Sequence, residues 1–230
     1  MTYVQAIHPD ASANRSRLEP IAALTRPEHH AEPIVPLQAY ENIDVSYDPA
    51  MLTYWCHMRP PVKPIVTNAL LRDLRHMQDA LAESHAQAPL PIGYFVFASK
   101  TPGVFSLGGD LQYFAECVNS GDRDSLHHYA RTCIDIVYRN VNAFTLPLVT
   151  MALVQGDALG GGFETALSFD LVVAERSAKM GLPEILFNLF PGMGAYSFLA
   201  RRMDATRAER MMMSGQIFTE IGRASCRERV

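Results

Sequence analysis

The 230-residue sequence has no C-x-x-C pair, a single tryptophan and no uninterrupted apolar run long enough to cross a bilayer. Each absence excludes something. Cys56, Cys117, Cys133 and Cys226 are scattered, and no His/Cys grouping has zinc-ligand spacing, so no metal site is expected. Isolated cysteines fit a reduced, cytoplasmic setting. His29–His30 and His127–His128 are sequence neighbours. On a helix, adjacent side chains diverge by about 100°, so both pairs read as solvated surface. A net charge of −4 with no basic stripe argues against a nucleic-acid partner. The N-terminal run "MTYVQAIHPDASANRSRLEP" lacks the charged-then-apolar layout of a secretory signal.

What is present is an apolar content of 48%, enough for a folded core. Residues 1–40 are rich in Pro, His and Ala without a sustained period, and read as a loose extension. Residues 41–219 alternate strand-like and helical segments, which predicts an α/β domain with helix-covered sheets. Strands are expected in two runs of "IDVSYDPAMLTYWCHM", in Gly93–Ala98, in "LPLVTMALVQG" and in Asp170–Glu175. Helices are expected at Ile65–His85, through "RDSLHHYARTCIDIVYRNVNAF" and through "ATRAERMMMSG". The last eleven residues, "EIGRASCRERV", hold three arginines and resemble the translation of a short-read sequencing adapter. Residues 220–230 are therefore set aside as a non-native tail.

Two glycine loops carry the functional signal. In "VQGDALGGGFETALSFD", the triplet Gly160–Gly162 stands between a strand and a helix start. A helix start has unsatisfied N–H groups and a partial positive charge, and glycine lets an oxygen approach them. A phosphate loop needs Lys-Ser/Thr after the glycines, where this chain has Phe163 and Glu164. The dinucleotide pattern fails at Thr165. A carboxylate beside the seat suits a carbonyl that becomes negative only during reaction. Tight helix–strand packing explains the triplet equally well on its own. "FSLGGDL", Phe105–Leu111, has the same form, and N–H groups from two loops can pinch one oxygen.

Two glutamates accompany the loops. Glu164 lies at the start of the helix after the triplet, and Glu184 lies 20 positions on, in "MGLPEIL". Met180, Leu182, Ile185 and Leu186 flank Glu184, and apolar surroundings raise a carboxyl pKa toward neutrality. Phe187, Leu189, Phe190, Met193 and Tyr196 follow and are candidates for lining an apolar slot.

Together these segments resemble the crotonase (enoyl-CoA hydratase/isomerase) superfamily. "FSLGGD" and "VQGDALGGGFE" resemble its two oxyanion-hole loops, and "GLPEILFNLFPGMG" its second acid/base segment. The resemblance implies a crotonase-like (ClpP/crotonase) spiral of ββα units. It implies that the N–H groups of Gly109 and Gly161 form the oxyanion hole and that Glu164 and Glu184 are the acid/base pair. Within that superfamily, "FPGMGAYSF" is similar to the DSF (diffusible signal factor) synthases, where ordinary hydratases tend to read "PGAGGTQRL". That likeness implies dehydration of a 3-hydroxyacyl thioester to a cis-2-enoyl product, followed by thioester hydrolysis. No cofactor is implied; the substrate would arrive on acyl carrier protein or CoA. Family members continue into C-terminal helices and assemble as trimers or hexamers, so the C-terminal helical part is expected to be truncated here. A plain enoyl-CoA hydratase/isomerase and a non-catalytic crotonase-fold binding or assembly subunit are the competing readings. The "GMGAYSF" run argues against the first and the retained glutamates against the second.

Overall fold

The computed structural model describes residues 3–5 and 35–219; the proposed tail and most of the N-terminal extension lie outside the described residues. A three-residue strand, β1 (Tyr3–Gln5), opens the description. A hairpin follows, β2 (Ile43–Asp48) and β3 (Thr53–Met58), in the two runs expected from sequence. Helix α1 (Asn68–Gln87) leads to β4 (Tyr94–Ser99) and β5 (Val104–Ser106), then to α2 (Leu111–Ser120) and α3 (Arg123–Val141). The second strand–strand–helix unit is β6 (Val149–Val154), β7 (Asp157–Leu159) and α4 (Gly161–Leu167). The third is β8 (Leu171–Ala174), β9 (Met180–Gly181) and a 3-10 turn at Pro183–Phe187. Helices α5 (Ala195–Ala200) and α6 (Ala205–Ser214) and strand β10 (Ile217–Phe218) complete the described chain.

The units share one rule. The first strand of each joins a six-stranded sheet of order β1-β8-β6-β4-β3-β2. The second joins a four-stranded sheet of order β10-β9-β7-β5. Strands β4, β6 and β8 run parallel, as do β5, β7 and β9. This is the expected α/β spiral of ββα units. The short strands of the second sheet, two or three residues each, fall below the length at which alternation shows in a sequence. Tyr3–Gln5 departs from the expected loose extension, because it adds an antiparallel edge strand to β8. Val35 and Tyr40 also pack on the core.

Core packing follows from the helical faces and the buried strands. Helix α1 turns Leu70, Leu71, Leu74, Met77 and Leu81 inward, and α3 turns in Tyr129, Cys133, Ile136 and Val137. Each such side chain contributes about 1.5–3 kcal/mol when fully buried. Strand β4 is buried on both faces from Phe95 to Ser99, as a central parallel strand should be. Phe95 meets Phe144 edge-on at 4.8 Å, and Phe97 stacks on Phe169 at 5.4 Å. Among the described residues, no helix is long and apolar enough to cross a membrane.

A buried polar chain ties three helices together. Gln78 of α1 donates to Asn140 of α3 at 2.9 Å, and Asn140 donates to Ser168 at 3.0 Å. Ser168 donates to the Thr165 carbonyl near the end of α4. Asn140→Ala takes one partner each from Gln78 and Ser168, which keep their bonds to the Ile136 and Thr165 carbonyls, and opens a small void. A loss of about 3 kcal/mol is expected. Equilibrium urea unfolding measures it directly, and a loss under 1 kcal/mol would mean that the chain of bonds is dispensable.

Candidate active site

Three parallel neighbours in the small sheet end at one place. After β5 comes the loop Gly108–Gly109, after β7 the loop Gly160–Gly161, and after β9 the turn that carries Glu184. The strand order therefore assembles both glycine loops and both glutamates at the same sheet end, where parallel α/β sheets bind ligands.

The two glycine loops touch through bare backbone. A Cβ on Gly108 would stand 2.9 Å from Gly161 N and 2.9 Å from the Leu159 carbonyl. Gly108 also has φ +87°, a left-handed conformation that side chains disfavour. From the other side, the Cβ position of Gly161 lies 3.7 Å from Gly109 N. Among the described residues, neither the Gly109 nor the Gly161 N–H has a hydrogen-bond acceptor. Thr67, Asp110, Asp122 and Asp204 cap α1, α2, α3 and α6 with their side chains. Gly160, which precedes α4, has no side chain to do so, and the N–H of Gly161 stays open. As the cap of α2, Asp110 accepts from Tyr113 N at 3.1 Å.

Glu164 is 1% exposed. Its Oε1 accepts the N–H groups of Met193 at 2.8 Å and Ala195 at 3.0 Å. Burial raises its pKa, the two N–H donors pull it back, and the negative field of Glu184 raises it again; the outcome is about 7. Glu184 is half-buried, and burial raises its pKa as well. Its Oε2 is enclosed and has no hydrogen-bond partner among the described residues, and its Oε1 would lie 2.9 Å from a Cβ at Gly160. Of the apolar flank expected around Glu184, Met180 and Leu182 are buried, while Ile185 and Leu186 face outward. One carboxyl thus holds a proton near neutrality, and the second offers an unused acceptor oxygen.

The five apolar candidates for a slot do not share one setting. Phe187, Leu189, Phe190 and Tyr196 are exposed, from 41% for Leu189 to 78% for Phe190. The Pro183-led turn ends at Asn188 in a left-handed conformation and throws these rings outward. A cavity of about 20 Å³ lies instead between the large sheet and α1 and α3, lined by Leu70, Leu71, Leu74, Ile136, Val137 and Met193. Of the five candidates, only Met193 reaches it. Its Cε also lies 2.9 Å from the Cβ position of Gly161, so Met193 stands between the Gly160–Gly161 loop and the cavity. The lining of α1 and α3 reads from sequence as ordinary core. The Met193 and Ala195 amides that hold Glu164 leave no signal in residue type at all. His127 and His128 are exposed, His29 and His30 lie outside the described residues, and no cluster able to hold a metal ion occurs among the described residues.

Comparison with known proteins fits this geometry. The profile of the family described as enoyl-CoA hydratase/isomerase matches residues 62–221. The chain belongs to the enoyl-CoA hydratase/isomerase family. It is 32% identical over 164 residues to the 2,3-dehydroadipyl-CoA hydratase of Escherichia coli, covering 70% of this chain and 57% of that protein. The chain spans about half the length of the curated relatives it matches. Among solved structures, Pseudomonas aeruginosa DspI superposes with a TM-score of 0.68 at 26% identity, over 81% of this chain and 70% of DspI. An enoyl-CoA hydratase from Bacillus anthracis shares the fold, with a TM-score of 0.69 at 23% identity over 79% of this chain and 66% of that one.

The raised pKa of Glu164 makes a stability prediction. Between the ordinary carboxyl pKa and about 7, the folded chain keeps a proton that the unfolded chain has released. Stability therefore falls as pH rises through that window and levels off above it. Glu164→Gln keeps an acceptor for the Met193 and Ala195 amides and removes the charge. At pH 8 the variant should be more stable than wild type by an amount on the order of 3 kcal/mol, with the gain vanishing near pH 4.5. Thermal melts of both proteins across pH 4.5–8 test this, and parallel curves would refute it.

Proposed function

We propose that the chain carries out crotonase-type acid/base chemistry on an acyl thioester, dehydrating a 3-hydroxyacyl substrate and then hydrolysing the thioester. The observation that carries this reading is the open N–H pair of Gly109 and Gly161 beside two carboxyls of different environment. Two backbone donors from separate loops suit a carbonyl oxygen that turns into an enolate. Glu184, with its free Oε2, takes the proton from the carbon next to the carbonyl. The electron pair moves onto the oxygen between the two amides. Glu164 has one oxygen committed to Met193 and Ala195, and its other oxygen delivers the proton to the departing 3-hydroxyl. Water leaves and the 2-enoyl thioester forms.

The same groups balance a hydrolysis step. Glu164, now a carboxylate, takes a proton from water as its oxygen bonds to the carbonyl carbon. The tetrahedral oxyanion sits in the same seat. The carbon–sulfur bond breaks, Glu184 returns its proton to the thiolate, and both carboxyls regain their starting states. A cis-2-unsaturated free acid and a thiol carrier result. The "FPGMGAYSF" run supports this finer reading, with acyl carrier protein as the carrier; the scattered cysteines favour a cytoplasmic setting, and the superfamily resemblance a trimer or hexamer. Met193, which stands between Gly161 and the water-sized cavity, is a candidate acyl contact of the site.

Hydration of an enoyl-CoA is the second reading, favoured by the family match itself. The test incubates the protein with 3-hydroxyacyl-carrier protein and separately with crotonyl-CoA. Free cis-2-enoic acid, seen by mass spectrometry, supports the first reading. Hydration of crotonyl-CoA without free acid supports the second, and no turnover of either with tight partner binding supports a non-catalytic subunit. Glu184→Gln and Glu164→Gln should each lower turnover by about 10²–10⁴-fold. Wild-type rates in either variant would remove that residue from the chemistry.

A further inference from the structure

Tyr129 was legible in the sequence only as an apolar-face residue of a helix, yet it reaches the first oxyanion loop. It is 3% exposed on α3. Its ring meets Phe114 edge-on at 5.1 Å and Tyr113 at 5.7 Å, both on the helix that starts at that loop. Its hydroxyl donates to the Val66 carbonyl and accepts the Asp110 N–H at 3.3 Å. Val66 in turn donates its N–H to the Gly108 carbonyl at 2.8 Å, and Leu107 donates to the Pro64 carbonyl at 2.8 Å.

These bonds decide where the Gly109 N–H points. In a trans peptide the C=O and N–H point in opposite directions. With the Gly108 carbonyl held by Val66, the Gly109 N–H is turned away from Val66 and toward the space shared with Gly161. One fixed plane leaves a glycine free to swivel, since both its dihedrals are soft. The next plane contains the Asp110 N–H, and the Tyr129 hydroxyl holds it. Gly109 is thus pinned on both sides. The hydroxyl lies 3.6 Å from where a Gly109 Cβ would be, so it backs the donor without entering the seat.

We propose that Tyr129 is a positioning residue of the oxyanion seat, its hydroxyl clamping the Val66 carbonyl and the Asp110 N–H so that the Gly109 N–H stays aimed at the thioester oxygen. This rests on the acyl-thioester reading above. The test is Tyr129→Phe in the full-length protein, with two readouts. The first is the infrared band of a saturated acyl-CoA labelled with ¹³C at its carbonyl, free and bound. In wild type the band moves to lower frequency on binding; in Tyr129→Phe the movement shrinks. The second is kinetics with an enoyl or 3-hydroxyacyl thioester. The expected result is kcat about tenfold lower, less than the loss on deleting a donor outright, with KM within about twofold and the pH profile unchanged.

A wild-type band position together with a wild-type kcat in Tyr129→Phe overturns the proposal. Wild-type protein that binds no acyl-CoA, or binds it with no band movement, overturns the thioester reading itself, so the two failures are distinguishable. If Tyr129→Phe melts too early to assay, 3-fluorotyrosine at position 129 keeps the ring and the hydroxyl while weakening the latter as an acceptor. A reduced band movement then supports the clamp, and an unchanged one overturns it.

Discussion

The contact of backbone against backbone between the Gly108–Gly109 and Gly160–Gly162 loops is the constraint on which the site depends. A Cβ at Gly108 would run into Gly161 N, and one at Gly162 into the Ser106 carbonyl. Any larger residue at either place forces the loops apart, and with them the two N–H donors. Separation matters because a hydrogen bond weakens steeply once its distance and angle leave a narrow range. The cost is conformational: Gly108 and Gly160 sit at positive φ, and the unfolded chain is freer at each glycine. Parallel pairing of β5, β7 and β9 makes the loops neighbours, and their lack of side chains lets them close to contact distance.

Glu164 shows the opposite economy, a group kept at a loss of stability. A carboxylate 1% exposed with no cation among its hydrogen-bond partners is disfavoured when ionised. Two amide donors offset part of that penalty and bind one oxygen, so the carboxyl is held in place without being held in its charged form. A lysine or arginine there would have stabilised the fold and pulled the pKa down, ending its use as an acid near neutral pH. The amides come from the "GMGA" stretch, 29 and 31 positions downstream. The same short segment therefore orients the acid, places Met193 against the cavity and begins α5.

The larger elements were legible because their physics is local. Helices α1 and α3 are long enough for the apolar period to repeat. Strands β4, β6 and β8 are apolar runs bounded by turns. The glycine loops and both glutamates were legible because bare backbone before a helix and carboxyls among apolar neighbours are unusual in themselves. The outward setting of the apolar candidates after Glu184 was not. Phe187, Leu189 and Phe190 read as lining residues from their chemistry, but a left-handed Asn188 at the end of a 3-10 turn decides which way they face. Strands β9 and β10, two residues each, exist only through pairing. Tyr129 carries its second role through a hydroxyl whose partners lie 19 and 63 positions away, and no helical period reports that.

The division of labour between the two glutamates follows from where each enters the spiral. Glu164 lies within α4, one turn after the open N–H of Gly161, and a helix at that depth is surrounded by β7, α5 and the large sheet. Its burial is a consequence of the helix that supplies the oxyanion donor. Glu184 lies on a 3-10 turn with no buried residue of its own, at the rim of the same sheet end. It is close enough to raise the pKa of Glu164 and exposed enough to keep a lower barrier to ionisation itself. Two carboxyls of one chemical type thereby stand in different environments, set by depth, by the amide bonds to Glu164 and by the field of one on the other. The deeper one keeps its proton to a pH of about 7, and the shallower one has an enclosed oxygen with no hydrogen-bond partner among the described residues. A spiral that repeated the same helical turn after every strand pair would have buried both equally and lost the distinction. The replacement of the third helix by a Pro-led 3-10 turn is what sets the two carboxyls at different depths.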